Sequence, residues 1–197
     1  MSFKGELFYI THLDNIPSIM RSGILSHNEA ERVNHHSVAL QDVQDKRAIK
    51  KIPKGRVLHD YVNLYFNPRN PMMYKLFKLH MISNLCVLSV HPNILKVQDA
   101  VVSDQNAARN LVRFYDPKVD FDKLDFENIY LRDWNVPDRH EYDRLKGIVC
   151  AETLIPDKMS FDHINSAYVV DDSVSCKLSN MGFNRPIIIE PDMFFRG

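Results

Sequence analysis

One carboxylate stands inside a segment that otherwise reads as buried. In G-I-V-C-A-E-T-L-I (Gly147 to Ile155) the predicted strand is apolar except at Glu152 and Thr153. A charge in such a run either points off a sheet edge into water or faces a cleft, because an unpaired buried carboxylate is too costly. Facing a cleft, Glu152 suits proton transfer or stabilisation of a developing cation. The residues by themselves leave both readings open. His12 ends a short strand candidate, Leu7 to Thr11, and can serve a ligand or simply satisfy a turn. Arg47 belongs to K-R-A-I-K-K-I-P-K-G-R (Lys46 to Arg56), six basic residues in eleven. That density suits a solvated loop or a phosphate-contacting segment. Arg69, between Pro68 and Pro71, reads as a structural fork toward a carboxylate or carbonyls. The common nucleotide, metal and hydrolase signatures (G-x-G-x-x-G, G-x-x-x-x-G-K-[ST], H-E-x-x-H, G-x-S-x-G) are absent, and no metal is expected.

The elements that must position these groups centre on Val57 to Tyr74, V-L-H-D-Y-V-N-L-Y-F-N-P-R-N-P-M-M-Y. Aromatic density predicts a strand over Tyr61 to Phe66. The two prolines then predict a rigid turn, since each removes a donor and restrains its predecessor. Tyr65 and Met72 are core residues by default, or else the wall of a pocket for a planar ligand. Upstream, Asp14 or Asn15 caps a helix with Pro17 in its first turn and Gly23 as its stop. Residues 28–44 read as a polar loop or frayed helix. Downstream, a helix is expected over Lys75 to Asn84 and strands over Leu85 to His91 and Val97 to Ser103. Asp104 is expected to cap a helix with Ala107, Leu111 and Phe114 on one face. Tyr115 to Lys146 is irregular and holds the only tryptophan, Trp134. A short helix over Asp157 to Ile164 and strands over Ala167 to Val170 and Pro186 to Glu190 complete the chain. No linker divides it, so residues 1–197 are expected to form a single α+β domain.

Lys+Arg and Asp+Glu both number 25, which argues against nonspecific coating of duplex DNA while permitting a local basic groove. Cys86, Cys150 and Cys176 are odd in number, widely spaced and without C-x-x-C. A disulfide framework or zinc site is therefore not expected, and reduced thiols fit a cytoplasmic protein. No run approaches the length of a membrane span, and the N-terminus lacks a signal-peptide core, so no membrane partner is expected.

Several blocks together resemble the DarT family of DNA ADP-ribosyltransferase toxins. They are F-Y-I-T-H-L-D-N-I-P-S-I-M-R-S-G (Phe8 to Gly23), K-R-A with the Leu58 to Tyr74 block, V-S-D-Q-N-A-A (Val102 to Ala108) and A-E-T-L-I-P-D (Ala151 to Asp157), in the family's order. The resemblance implies an ADP-ribosyltransferase fold, a split pair of small, mostly antiparallel sheets around an NAD cleft with flanking helices. It implies transfer of ADP-ribose from NAD to a base of single-stranded DNA, thymine favoured over guanine, with release of nicotinamide. Glu152 would be the catalytic glutamate, and Arg47 would hold NAD and help activate the base. His12 would contact the adenine-side ribose, Tyr65 would stack on nicotinamide and Met72 would line the same pocket. Lys50, Lys51, Trp134, Arg139 and His140 are the expected DNA-contacting residues, and 115–146 falls at the family's target-recognition loop. A DarG-type macrodomain antitoxin is the implied partner. The competing readings are the same fold acting on RNA, protein or a small molecule, and a nucleic-acid-binding module without turnover.

Overall fold

The computed structural model describes residues 5–38, 41–53 and 55–196. The chain runs β1 (Leu7–His12), α1 (Ile16–Ser22), β2 (Ile24–Leu25), α2 (His27–Ala30), α3 (Gln41–Ile49), β3 (Tyr61–Tyr65) and α4 (Pro71–Lys78). It continues through β4 (Leu85–Val90), β5 (Val101–Ser103), β6 (Phe114–Tyr115), α5 (Phe126–Ile129), α6 (Arg139–Ile148), β7 (Glu152–Pro156) and β8 (Lys158–Met159). It ends with β9 (Ile164–Val169), α7 (Asp172–Asn180) and β10 (Ile187–Ile189), short 3-10 turns joining several of these.

The main sheet has the order β10-β9-β4-β1-β3-β7-β5-β6, antiparallel except for the β10–β9 edge. β4 is its spine. All six residues of L-C-V-L-S-V are buried, and each Leu or Val contributes about 1.5–3 kcal/mol by leaving water. Its one polar residue, Ser89, is satisfied by donating to the Glu6 carboxylate. β1 and β4 pair over six residues, and β3 and β7 over five. Between β1 and β3 a single pair forms, Phe8 opposite Tyr65. The sheet is therefore two halves touching at one point, with the strands diverging beyond it. This is the expected split pair, and the gap between the halves is the cleft described below.

Local chemistry sets the flanking elements. Asn70 caps α4, accepting from the N–H groups of Met72 and Met73 at 3.0 and 3.1 Å, with Pro71 at the first helical position. The helix thus starts inside the segment expected to be only a turn, four residues earlier than predicted at Lys75. Gly23 stops α1 with φ of 78°, and a Cβ there would lie 2.1 Å from the Met159 carbonyl oxygen, so β8 passes directly over it. Arg69 has the structural role expected of it. Its guanidinium lies 3.9 Å from the centre of the Phe195 ring and donates to the Asp192 carbonyl, tying the C-terminal segment to the start of α4.

Three predicted elements are different in the structure. Residues 104–113 form a closed loop instead of a helix, because Asp104 spends its capping capacity across the loop. Its carboxylate accepts from the Arg113 N–H at 3.0 Å and its own N–H reaches the Arg113 carbonyl at 3.2 Å. Gly147 and Ile148 belong to α6, which Asp138 caps by accepting from Glu141 N–H at 2.7 Å, so the strand begins only at Glu152. Residues 157–164 hold β8 and a 3-10 turn, since Asp157 adopts a positive φ of 59° that a helix excludes. Cys86 and Cys150 are buried, Cys176 is exposed, and all three are free. No helix among the described residues is long and apolar enough to cross a membrane.

Candidate active site

Beyond the Phe8–Tyr65 contact the parting strands line a cleft of about 1620 Å³, with Tyr9, Ile10 and Thr11 of β1 on one wall and Tyr61, Asn63 and Tyr65 of β3 on the other. That exceeds the roughly 300–1,000 Å³ typical of a pocket for one small ligand. Lys46, Arg47, Lys50 and Lys51 of α3 and its exit line it, with Lys75 of α4, Arg109 of the 104–113 loop, and Arg144 and Lys146 of α6. Asp143 is the only carboxylate among the described lining residues. Among the described residues the lining thus sets eight cations against one acid, in a chain of zero formal net charge.

Beneath the cleft, behind Arg47, stands Glu152, the first residue of β7, fully buried and opposite Tyr65 across the β3–β7 ladder. Its burial decides the question its sequence context left open, because the carboxylate points inward and is held. Arg47 donates to both carboxylate oxygens, at 3.2 and 3.0 Å, and the Ala107 N–H donates to Oε1 at 2.9 Å. Arg47 is itself 5% exposed and lines the cleft, so it lies between the glutamate and the open volume. The backbone is held as firmly as the side chain. The Glu152 N–H donates to Ser103 Oγ at 3.2 Å, and that hydroxyl donates to the Gln105 carbonyl at 2.7 Å. Ser103 and Ala107 were not among the expected site residues. Their segment was visible only as one of the matched blocks, since periodicity pointed to a helix there.

Tyr65 is buried, and its hydroxyl donates to the Met72 sulfur at 3.2 Å. Burial, then the negative charge of Glu152, pushes its phenol well above the ordinary value, so it stays a neutral donor. Cys150, also on the cleft wall, is pushed up to about 12 by burial and by Glu152, which leaves it protonated and poorly nucleophilic. Glu152, Arg47, Tyr65 and Met72 thus converge from four separate elements. The Met72 placement rests on the Asn70 cap.

His12 occupies the splayed end of β1, four residues and about 13 Å along the strand from Phe8. The Asp14 N–H donates to its Nδ1 at 3.2 Å, and His36 stacks on it at 4.9 Å between centroids. Asn15 fixes His36 by accepting from its N–H at 2.8 Å and donating to its carbonyl at 2.9 Å. Partial burial lowers the His12 pKa, Asp14 opposing and His36 assisting, so the ring is neutral at pH 7. His36 and Asn15 line the cleft and His12 stands behind them, outside the lining; His59, which lines the cleft, has its pKa lowered by burial and by the nearby His27 and Arg47.

The expected DNA-contacting residues divide. Lys50, Lys51 and His140 line the cleft, and Arg139 is an exposed residue opening α6. Trp134 does not join them. It is 7% exposed and packed with Leu145 and Val149, edge-on to Tyr74 and Phe195, so its ring has no free face for a base.

A split sheet with a carboxylate at its floor, an aromatic across the ladder and a basic cleft above defines the ADP-ribosyltransferase class of fold. Residues 8–195 match the family model described as "ssDNA thymidine ADP-ribosyltransferase, DarT", and the chain belongs to the DarT family. It is 35% identical over 197 residues to a DNA ADP-ribosyl transferase–DNA ADP-ribosyl glycohydrolase fusion protein of Thermosipho africanus. That match covers 96% of this chain and 49% of the relative, so the chain spans about half that protein's length. The fold matches Thermus sp. 2.9 DarT in complex with ADP-ribosylated ssDNA with a TM-score of 0.85 at 24% identity, covering 96% of this chain and 95% of that one. It matches the same protein in complex with NAD+ with a TM-score of 0.81 at 24% identity, covering 98% of each chain.

Proposed function

We propose that this protein transfers ADP-ribose from NAD to a base of single-stranded DNA, with thymine favoured over guanine. The observation that carries the reading is the buried Glu152–Arg47 pair beneath a cleft whose described lining residues include eight cations and one carboxylate. A dinucleotide and a nucleic-acid strand are both polyanions, and the cleft volume suits two occupants. The DarT family's description and the neighbour in complex with ADP-ribosylated ssDNA support the acceptor, and the NAD+ complex supports the donor.

In the reaction, the bond between nicotinamide nitrogen and ribose C1′ breaks, the electron pair leaves with nicotinamide, and C1′ becomes oxocarbenium-like. A base nitrogen then bonds to C1′ and loses its proton to water in the cleft. Glu152 supplies the fixed negative charge, accepting from the ribose 2′-hydroxyl in place of one Arg47 N–H. The Ala107 N–H keeps the carboxylate oriented during that exchange. Arg47, released from Glu152, turns into the cleft toward the phosphates and the acceptor base, where its charge favours loss of the base proton. Tyr65 and Met72 form the nicotinamide wall, the sulfur fixing the phenol, and neutral His12 meets the adenine-side ribose at the splayed end. Single-stranded substrate is required because the reacting edge of the base is hidden in a duplex. Lys50, Lys51, Arg139 and His140 contact the strand. The protein acts as a cytoplasmic toxin, and a DarG-type macrodomain that removes the modification is its proposed antitoxin, supported by the transferase–glycohydrolase fusion in Thermosipho africanus.

The test incubates the purified protein with NAD and a panel of single-stranded oligonucleotides and reads the mass of each. The expected result is addition of one ADP-ribose to thymine-containing oligonucleotides, abolished in Glu152→Gln. Label appearing on RNA or protein but on no DNA oligonucleotide would overturn the reading.

A further inference from the structure

Among the described residues, Leu111 and Ile49 are the two most exposed large hydrophobic side chains, at 86% and 80%. Scattered apolar residues on a surface need no explanation. These two are not scattered, because both line the same cleft. Ile49 is the last residue of α3, and Leu111 belongs to the 104–113 loop. Lys50 Nζ, next to Ile49, donates to the Arg109 carbonyl at 3.0 Å, which ties the end of α3 to the loop two residues from Leu111. The loop is held from behind as well. Arg109 donates to the Asp143 carbonyl at 2.7 Å, and Gly147 of α6 lies so close that a Cβ would be 2.6 Å from Arg109 Nη1. Two bare aliphatic side chains are therefore presented on a braced frame among cations.

The neighbours define the occupant. Lys46, Lys50 and Lys51 bring positive charge to the same cleft, Arg109 being paired with the Asp143 carboxylate, which fits a phosphate backbone and disfavours an apolar protein segment. Aliphatic side chains inserted beside a base, with cations on the flanking phosphates, are a recurring way of unstacking nucleic acid. We propose that Ile49 and Leu111 form an apolar wedge that unstacks the nucleotide next to the target base in single-stranded DNA, holding the target over Glu152. This rests on the DNA-modifying reading above. It adds the residues that separate the target from its neighbour, an assignment distinct from the phosphate-contacting lysines.

The test compares the wild-type protein with Ile49→Ser/Leu111→Ser, whose exposure makes a folding defect unexpected. Oligonucleotides carry 2-aminopurine beside the target base, so unstacking raises the fluorescence. The wild type is expected to raise it and the double variant to leave it flat. The double variant is also expected to lose roughly tenfold in kcat/KM for the oligonucleotide, as the lost apolar contact of two side chains implies. NAD affinity and the salt dependence of DNA binding are expected to be unchanged, since phosphate contacts are untouched. Ile49→Leu/Leu111→Met is expected to restore both signals. A Ser double variant that modifies DNA like the wild type, or that still raises the fluorescence, overturns the wedge alone. A wild type that modifies no oligonucleotide removes the DNA-modifying reading and the wedge with it.

Discussion

Removing either partner of the Arg47–Glu152 pair is expected to have very different consequences. In Arg47→Ala the glutamate loses both guanidinium contacts, at 3.0 and 3.2 Å, and keeps only the Ala107 N–H at 2.9 Å. The carboxylate is fully buried beneath Arg47, and water entering from the cleft through the space the side chain vacates replaces only part of what is lost. Stripping a buried ion of its partner costs about 3–5 kcal/mol. For a chain of this length each kcal/mol lowers Tm by about 2–4 °C, which gives a drop of roughly 6–20 °C. In Glu152→Gln the amide oxygen still accepts from Ala107, and the amide carries no charge. Arg47 is left without its anion, but it borders the cleft and can turn its guanidinium into water. The expected cost is below about 2 kcal/mol. Thermal melts of the two single variants and of Arg47→Ala/Glu152→Gln form a double-mutant cycle. The double variant is expected to melt above Arg47→Ala, because it no longer buries an uncompensated charge. An Arg47→Ala protein melting within 2 °C of wild type, or a Glu152→Gln protein melting as low as Arg47→Ala, would refute this reasoning.

Two further outcomes test the environment of the site. His12 and His59 both have folded-state pKa values held below the ordinary 6.5. Below about pH 6.5 the unfolded chain takes up protons that these sites resist, so stability is expected to fall as the pH drops and to be insensitive to these residues above that value. Melts from pH 8 to 5.5 check this, with His59→Gln expected to shallow the acid limb; an unchanged limb would be contrary to expectation. Trp134→Ala is expected to cost about 3–5 kcal/mol in a urea melt while leaving the oligonucleotide affinity of the folded protein intact, since the ring packs under Tyr74 and Phe195 and away from the cleft.

The strands were the legible part of the fold. Leu85 to Val90 is nearly all apolar and is buried on both faces, and Tyr61 to Tyr65 has the aromatic and β-branched content a sheet centre demands. Two capping signals were in the sequence but carried less weight than the periodicity around them. Asn70 before Pro71 starts α4, and Asp138 three residues before Glu141 starts α6. α7, capped by Asp171, had no assignment at all in the sequence reading. The helix expected from Asp104 fails for a reason no local pattern holds, because its cap is spent on Arg113 nine residues away. The same loop geometry leaves Leu111 in solvent where periodicity had it facing a core.

For the site, the sequence by itself determined the chemical inventory: a glutamate in an apolar strand, a dense basic segment, an aromatic strand running into prolines, and the family these blocks belong to. It did not determine which cation meets the glutamate. Arg47 is one of six basic residues within eleven, and composition cannot separate them. Tertiary structure separates them completely, since a pairing across 105 residues buries Arg47 on Glu152 while Lys46 and Lys51 remain exposed. Nor did the sequence determine that Trp134 is spent on packing, or that Ser103 and Ala107 hold the strand that carries Glu152. Each depends on contacts between residues far apart in the chain, as does the parting of β1 from β3 after one shared residue pair, Phe8 and Tyr65. Strand formation is decided by neighbours two residues apart, and the sequence carries it. The opening of the cleft is decided by contacts between residues far apart in the chain, and only the assembled sheet carries that.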